Sequence, residues 1–142
     1  MNEQKKLAME KTSNNWILNI DADERVTPEL RNIILDILEN PEADGYRIPR
    51  KNFFLGKWMK YGGWFPDHVL RLFHKEHACY GGINPHDKVI IKTGNIKTLK
   101  EPLLHYTYNS FSQYITRQST YSSQAALELY RRGKKQIPLL FF

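Results

Sequence analysis

Two carboxylates two residues apart, Asp21 and Asp23, follow directly on the apolar run Trp16-Ile17-Leu18-Asn19-Ile20. If the extended backbone persists, residues i and i+2 project to the same side, and both carboxylates can face one ligand. Such a pair at a strand end suits Mg²⁺ or Mn²⁺, which prefer oxygen donors and keep phosphate oxygens in their shell. The alternative is that these acids merely precede the next helix and favour its positive end. A calcium loop does not fit, because Val26 stands where the sixth position needs Gly and Asn32 where the twelfth needs Glu. His86-Asp87 follows a Gly81-Gly82 turn; a carboxylate beside an imidazole can take a proton from a hydroxyl nucleophile, or the pair is simply an exposed turn. Gly62-Gly63-Trp64-Phe65-Pro66-Asp67 is an aromatic, Gly-rich loop that can stack on a sugar ring or a base, or plug the core. Arg50, Lys51, Lys57 and Lys60 border it as a phosphate-facing patch or a solvated rim. His68, His74 and His77 are spaced irregularly, and with Cys79 as the one cysteine no paired-cysteine zinc site can form.

The elements that must position these residues are legible in outline. A short polar helix over 2–12 precedes the buried strand at Trp16–Ile20. Thr27 as N-cap, Pro28 at the first helical position and Glu29 in the first turn open a helix. Its buried face is predicted to be Leu30, Ile33, Ile34, Ile37 and Leu38, and Asn40-Pro41 ends it. Strands are predicted at Tyr46–Ile48, His68–Phe73, Asp87–Lys92 and Leu103–Tyr108. A last helix starts at a Ser110 cap and stops near Gly133. Helix, strand, helix, several strands and helix make a mixed α/β domain. The first strand has no preceding strand to pair with, so later strands or another chain must complete its sheet, or it stays incomplete.

Length and composition bound the rest. With 142 residues, 41% hydrophobic and 25% charged, the chain is expected to be one globular domain over 1–142 with a basic and apolar tail over 134–142. No run approaches the ~20 apolar residues of a membrane-spanning helix, and the N-terminus lacks the apolar core of a signal peptide, so a cytoplasmic location is the default expectation. A net charge of +6 favours anionic partners. Nucleic acid is not expected among them, since no recognition motif occurs and Asp21 and Asp23 would repel phosphates without a metal. Arg131-Arg132-Gly133-Lys134-Lys135 beside Leu139-Leu140-Phe141-Phe142 suggests a peripheral contact with an anionic membrane surface, at the inner face of the plasma membrane.

Taken in order, Trp16 to Val26, Gly45 to Arg50, Gly62 to Asp67, Arg71-Leu72-Phe73, His86-Asp87 and Leu104 to Tyr108 resemble the family-2 glycosyltransferases. The closer similarity is to the branch related to lipopolysaccharide-core β-glucosyltransferases, and it covers nearly the whole chain. The resemblance implies a partial GT-A fold: a mixed sheet with flanking helices. It also implies inverting transfer of a sugar from a nucleotide diphosphate-sugar donor to a glycan or lipid-linked acceptor, in cell-envelope polysaccharide or lipopolysaccharide synthesis. On that reading Asp21 and Asp23 are the family's metal motif, with His105 as a further ligand of the metal or diphosphate. Asp87 takes the place of the catalytic base, where the branch usually has Glu after His. Gly63, Trp64, Asp67, His86 and Arg71 bind substrate. Enzymes of this type begin with a nucleotide-gripping half that has no counterpart before Met1, so the resemblance implies a chain weak or inactive alone, with a partner chain carrying that half. The alternative is a non-catalytic module that binds acceptor glycan or an anionic membrane.

Overall fold

The computed structural model describes residues 2–81, 88–131 and 133. The elements run α1 (Asn2–Lys11), β1 (Trp16–Leu18), β2 (Glu24–Arg25), α2 (Pro28–Glu39), β3 (Gly45–Phe54), β4 (Lys57–Trp58), β5 (Asp67–His74), β6 (Ala78–Gly81), β7 (Lys88–Ile91), β8 (Ile96–Thr98), β9 (Leu103–Tyr108) and α3 (Phe111–Arg131). The chain divides into two compact units, one ending at Thr107 and the other beginning at Tyr108.

In the first unit the main sheet has the order β1-β5-β3-β9-β2, with β4 and β8 also pairing with β3. The sheet is mixed: β8 runs parallel to β3, and β1 and β4 pair antiparallel with β5 and β3. The first strand is thus completed by a later one, with Trp16 opposite His74 and Leu18 opposite Leu72. A separate two-stranded ribbon joins β6 to β7.

Alternation along the strands builds two cores. Trp16 and Leu18 of β1, with Tyr46, Ile48, Leu72 and Leu103, pack on Leu30 and Ile34 of α2. Ile17 and Phe73 point to the opposite face, where Ala78 and Ile91 of the ribbon and Met9 of α1 cover them. Gly45 sits where the ribbon crosses the sheet: a Cβ there would meet Ile91 Cγ1 at 2.7 Å.

The helix signals hold atom by atom for α2. Thr27 Oγ1 accepts from the Leu30 amide at 3.1 Å, and the Asn40 amide donates to Asp36 O at the other end. Leu38, expected on the buried face, is 39% exposed, so the apolar stripe is narrower than its spacing predicts. The chain leaves α2 through Tyr46, whose hydroxyl accepts from the Glu42 and Ala43 amides at 2.9 and 3.0 Å.

The strand ends differ more. β1 stops at Leu18, and Asp21 to Glu24 form a tight turn closed by the Glu24 amide on Asp21 O at 3.0 Å. β3 extends far past Ile48, through Pro49 to Phe54. Pro49 lacks an N–H for a ladder, and it lies beyond the last β8 pair, Arg47 with Thr98.

In the second unit Ser110 caps α3 as expected: its hydroxyl accepts from the Gln113 amide at 3.1 Å, and the Gln113 side chain accepts from the Asn109 amide. Tyr108 packs edge-on against Tyr114. No helix among the described residues is long and apolar enough to cross a membrane.

Candidate functional site

The turn after β1 gives its two carboxylates different partners, because the extended geometry that would align them ends at Leu18, before they begin. Asp21 Oδ2 accepts from Arg71 at 2.6 Å, and Asp23 Oδ1 lies 3.6 Å from His105 Nε2. Glu24, between the turn and α2, is the residue that organises both. Its Oε2 accepts from the Asp21 amide at 2.9 Å, and its Oε1 accepts from Arg71 at 2.6 Å. As part of β2 it stands opposite His105 of β9, which brings the imidazole to Asp23.

Glu24 has a fully buried side chain, and that of Arg71 is 8% exposed. A buried carboxylate without a partner is costly, so this pair fixes the turn firmly. Burial alone would lower the Arg71 pKa; the Glu24 and Asp21 carboxylates outweigh it and raise it above the ordinary value. The network continues: Arg50 lies 3.6 Å from Glu24 and donates to Asp67 Oδ2 through Nε at 2.9 Å. Five alternating charges, Asp21, Arg71, Glu24, Arg50 and Asp67, therefore link the acid turn to the start of β5.

His105 is half-buried. Burial first, and the Arg50 guanidinium second, hold its pKa below the usual imidazole value against the pull of Asp23 and Glu24. Its Nδ1 lies 2.6 Å from Asn52 Oδ1, and the Asn52 amide nitrogen donates to Trp64 O at 2.6 Å. The aromatic loop thus reaches the same ring. Trp64 also packs edge-on against Phe54, while Gly62 and Gly63 carry φ of 69° and 79°, a region that glycine adopts without strain. Lys51 and Lys60 lie over the Trp58 ring at 4.2 and 4.8 Å.

An oxygen and a nitrogen that share one divalent ion at about 2.0–2.2 Å each lie roughly 3–3.6 Å apart. Asp23 and His105 fit that spacing. No group of three or more His, Cys, Asp and Glu among the described residues is placed to hold a metal. A cation here would therefore fill its shell from water and phosphate oxygens, as Mg²⁺ and Mn²⁺ do.

Of the residues expected from sequence, the structure gathers Asp21, Asp23, His105, Arg71, Trp64 and Asp67 into one connected region. Gly63 lies exposed on the loop. His86 and Asp87 fall outside the described residues. Sequence reasoning passed over Glu24 as an organiser and Asn52 altogether. Glu24 carried a signal, an acid one step from the metal motif and three before a helix cap, whereas a lone Asn in Arg50-Lys51-Asn52-Phe53-Phe54 carries none.

Comparison with known proteins finds relatives over most of the chain. A Rickettsia felis protein named uncharacterized glycosyltransferase is 32% identical across 93% of this chain and 50% of its own length. A counterpart of the same name in Rickettsia prowazekii is 32% identical across 93% of this chain and 49% of its own length. The lipopolysaccharide core biosynthesis glycosyltransferase LpsC of Rhizobium meliloti is 29% identical across 93% and 50%. The chain spans about half the length of the curated relatives it matches. No family model matches it, and no solved structure matches it. Over nearly all of its residues, then, this chain is similar to one half of proteins named glycosyltransferases.

Proposed function

We propose that this chain is the metal- and acceptor-side half of a family-2, GT-A-type glycosyltransferase, acting in envelope polysaccharide or lipopolysaccharide synthesis. It takes part in moving a sugar, with inversion, from a nucleotide diphosphate-sugar to a glycan or lipid-linked acceptor. The observation that carries the reading is the approach of Asp23 Oδ1 to His105 Nε2 at 3.6 Å, beside a buried turn held by Glu24 and Arg71. Relatives named glycosyltransferases along the same residues support it.

In this reading Asp23 and His105 hold Mg²⁺ or Mn²⁺. A bound metal offsets the negative charge that builds on the departing nucleoside diphosphate. Asp21 does not face the same point; through Arg71 it keeps the turn in place. Gly63 and Trp64 line the acceptor side, and Asp67 anchors that loop's end through Arg50. Asp87, with His86 beside it, is assigned the base that takes the acceptor hydroxyl proton as that oxygen attacks the anomeric carbon. That assignment rests on the sequence resemblance.

Calorimetric titration with nucleoside diphosphates, with and without Mn²⁺, tests the reading. Metal-dependent binding that disappears in Asp23→Ala is the expected result; metal-independent binding, or binding indifferent to the substitution, contradicts it.

A second reading, a module held at an anionic membrane, is favoured by α3. Its described residues include none that is buried, and Phe111, Ile115 and Tyr130 are exposed on a helix that ends at Arg131. Co-sedimentation with anionic vesicles, lost on deleting residues 134–142, is the outcome this reading expects; no sedimentation sinks it.

A further inference from the structure

We propose that Asn52 is a positioning residue that locks His105 in its Nδ1–H form, so that the unprotonated Nε2 faces Asp23, and ties the aromatic loop to the same ring. The inference rests on the reading above for its metal, and on hydrogen-bond chemistry for everything else.

The argument starts at Trp64. Its carbonyl oxygen can only accept, and it lies 2.6 Å from one end of the Asn52 carboxamide. That end must be the NH₂, since two acceptors cannot share a hydrogen bond. The orientation of the amide, often ambiguous, is therefore set by its partner. The other end is then the oxygen, again only an acceptor, and it lies 2.6 Å from His105 Nδ1. So Nδ1 carries a hydrogen. A neutral imidazole has one N–H, and Nε2 is left with its lone pair.

That lone pair is directed at a region where Asp23 Oδ1 stands 3.6 Å away. Two acceptors facing each other with no hydrogen between them repel, and a cation coordinated by both removes the repulsion. A ligand histidine whose second nitrogen donates to a carbonyl is the usual way that orientation and tautomer are fixed at metal sites. Asn52 can do this because it is 4% exposed, with both ends of its amide engaged. Trp64 O fixes the amide, the amide fixes the ring, and the ring presents Nε2. One side chain thus ties the Gly62–Asp67 loop to the orientation of the metal ligand.

The test is read on the full chain, metal-free, at pH 8. Long-range ¹H–¹⁵N correlation spectra of ¹⁵N-histidine-labelled protein report which nitrogen of His105 is protonated. Nδ1–H is expected in the wild type, and Nε2–H there overturns the proposal without recourse to any variant. Asn52→Ala is expected to relax His105 to a mixture of tautomers and to weaken Mn²⁺ binding about 10- to 100-fold; an unchanged tautomer overturns it. Asn52→Asp keeps an acceptor for Nδ1–H and is expected to restore the tautomer while releasing Trp64 O. Failure to restore it in a folded protein also overturns the proposal. If the tautomer behaves as expected and neither form binds Mn²⁺, the positioning role stands and the glycosyltransferase reading fails.

Discussion

Among single residues, Glu24 and Arg71 decide whether the acid turn exists. A carboxylate with a fully buried side chain and a guanidinium that reaches two carboxylates at 2.6 Å are strongly interdependent. Removing one partner of a buried pair typically costs about 3–5 kcal/mol, because the other charge stays buried. Arg50, 3.6 Å from Glu24, compensates part of that, so Arg71→Met is expected to cost about 3 kcal/mol in urea unfolding. Adding Glu24→Gln should recover part of the loss, and a fully additive double variant would contradict the coupling. His105 makes a separate prediction for the metal-free chain. Its pKa is lowered in the folded state, so between the folded value and about 6.5 the unfolded chain binds more protons. Stability should therefore fall as pH drops below about 6.5 and level off below the folded value. His105→Gln should flatten that part of the profile; identical slopes in wild type and variant would contradict the assignment.

The elements show why some of this was legible in the sequence and some was not. The α2 helix announces itself through Thr27, Pro28 and Glu29, because capping is local chemistry. β5 and β9 read correctly as apolar, β-rich runs. Glu24–Arg25 and Ile96–Thr98 did not read as strands, since pieces of two or three residues are defined by partners far away: His105 and Leu104 for the first, Gly45 to Arg47 for the second. Pro49 hid the length of β3, as proline normally argues against a strand interior. The same long-range logic hid Asn52, whose meaning depends on β9 and the aromatic loop meeting at it. The turn from β3 to β4 offers a test of local strain. Leu55 and Gly56 have φ of 49° and 78° between the paired residues Phe54 and Lys57, a two-residue turn with both central residues left-handed. Leucine is disfavoured there by about 1 kcal/mol, and Leu55 is 43% exposed, so little burial is lost by replacing it. Leu55→Asn should raise stability by about 1 kcal/mol, read as a higher denaturation midpoint; an unchanged or lower midpoint would contradict the strain.

For the molecule as a whole, the chain corresponds to half the length of its relatives, and within its first unit the described sheet gathers an acid turn, an oriented histidine and an aromatic loop. On the proposed reading, that convergence would serve the metal and acceptor side of a sugar transfer: one carboxylate and one imidazole beside a buried charge network. The net charge of +6 suits anionic partners without selecting among them. The most direct measurement is anomalous diffraction from crystals of the chain grown with Mn²⁺ and a nucleoside diphosphate. The account predicts a manganese peak between Asp23 Oδ1 and His105 Nε2, about 2.0–2.2 Å from each, with diphosphate oxygens completing its shell. Nucleotide bound with manganese elsewhere, or with none at Asp23 and His105, would contradict it.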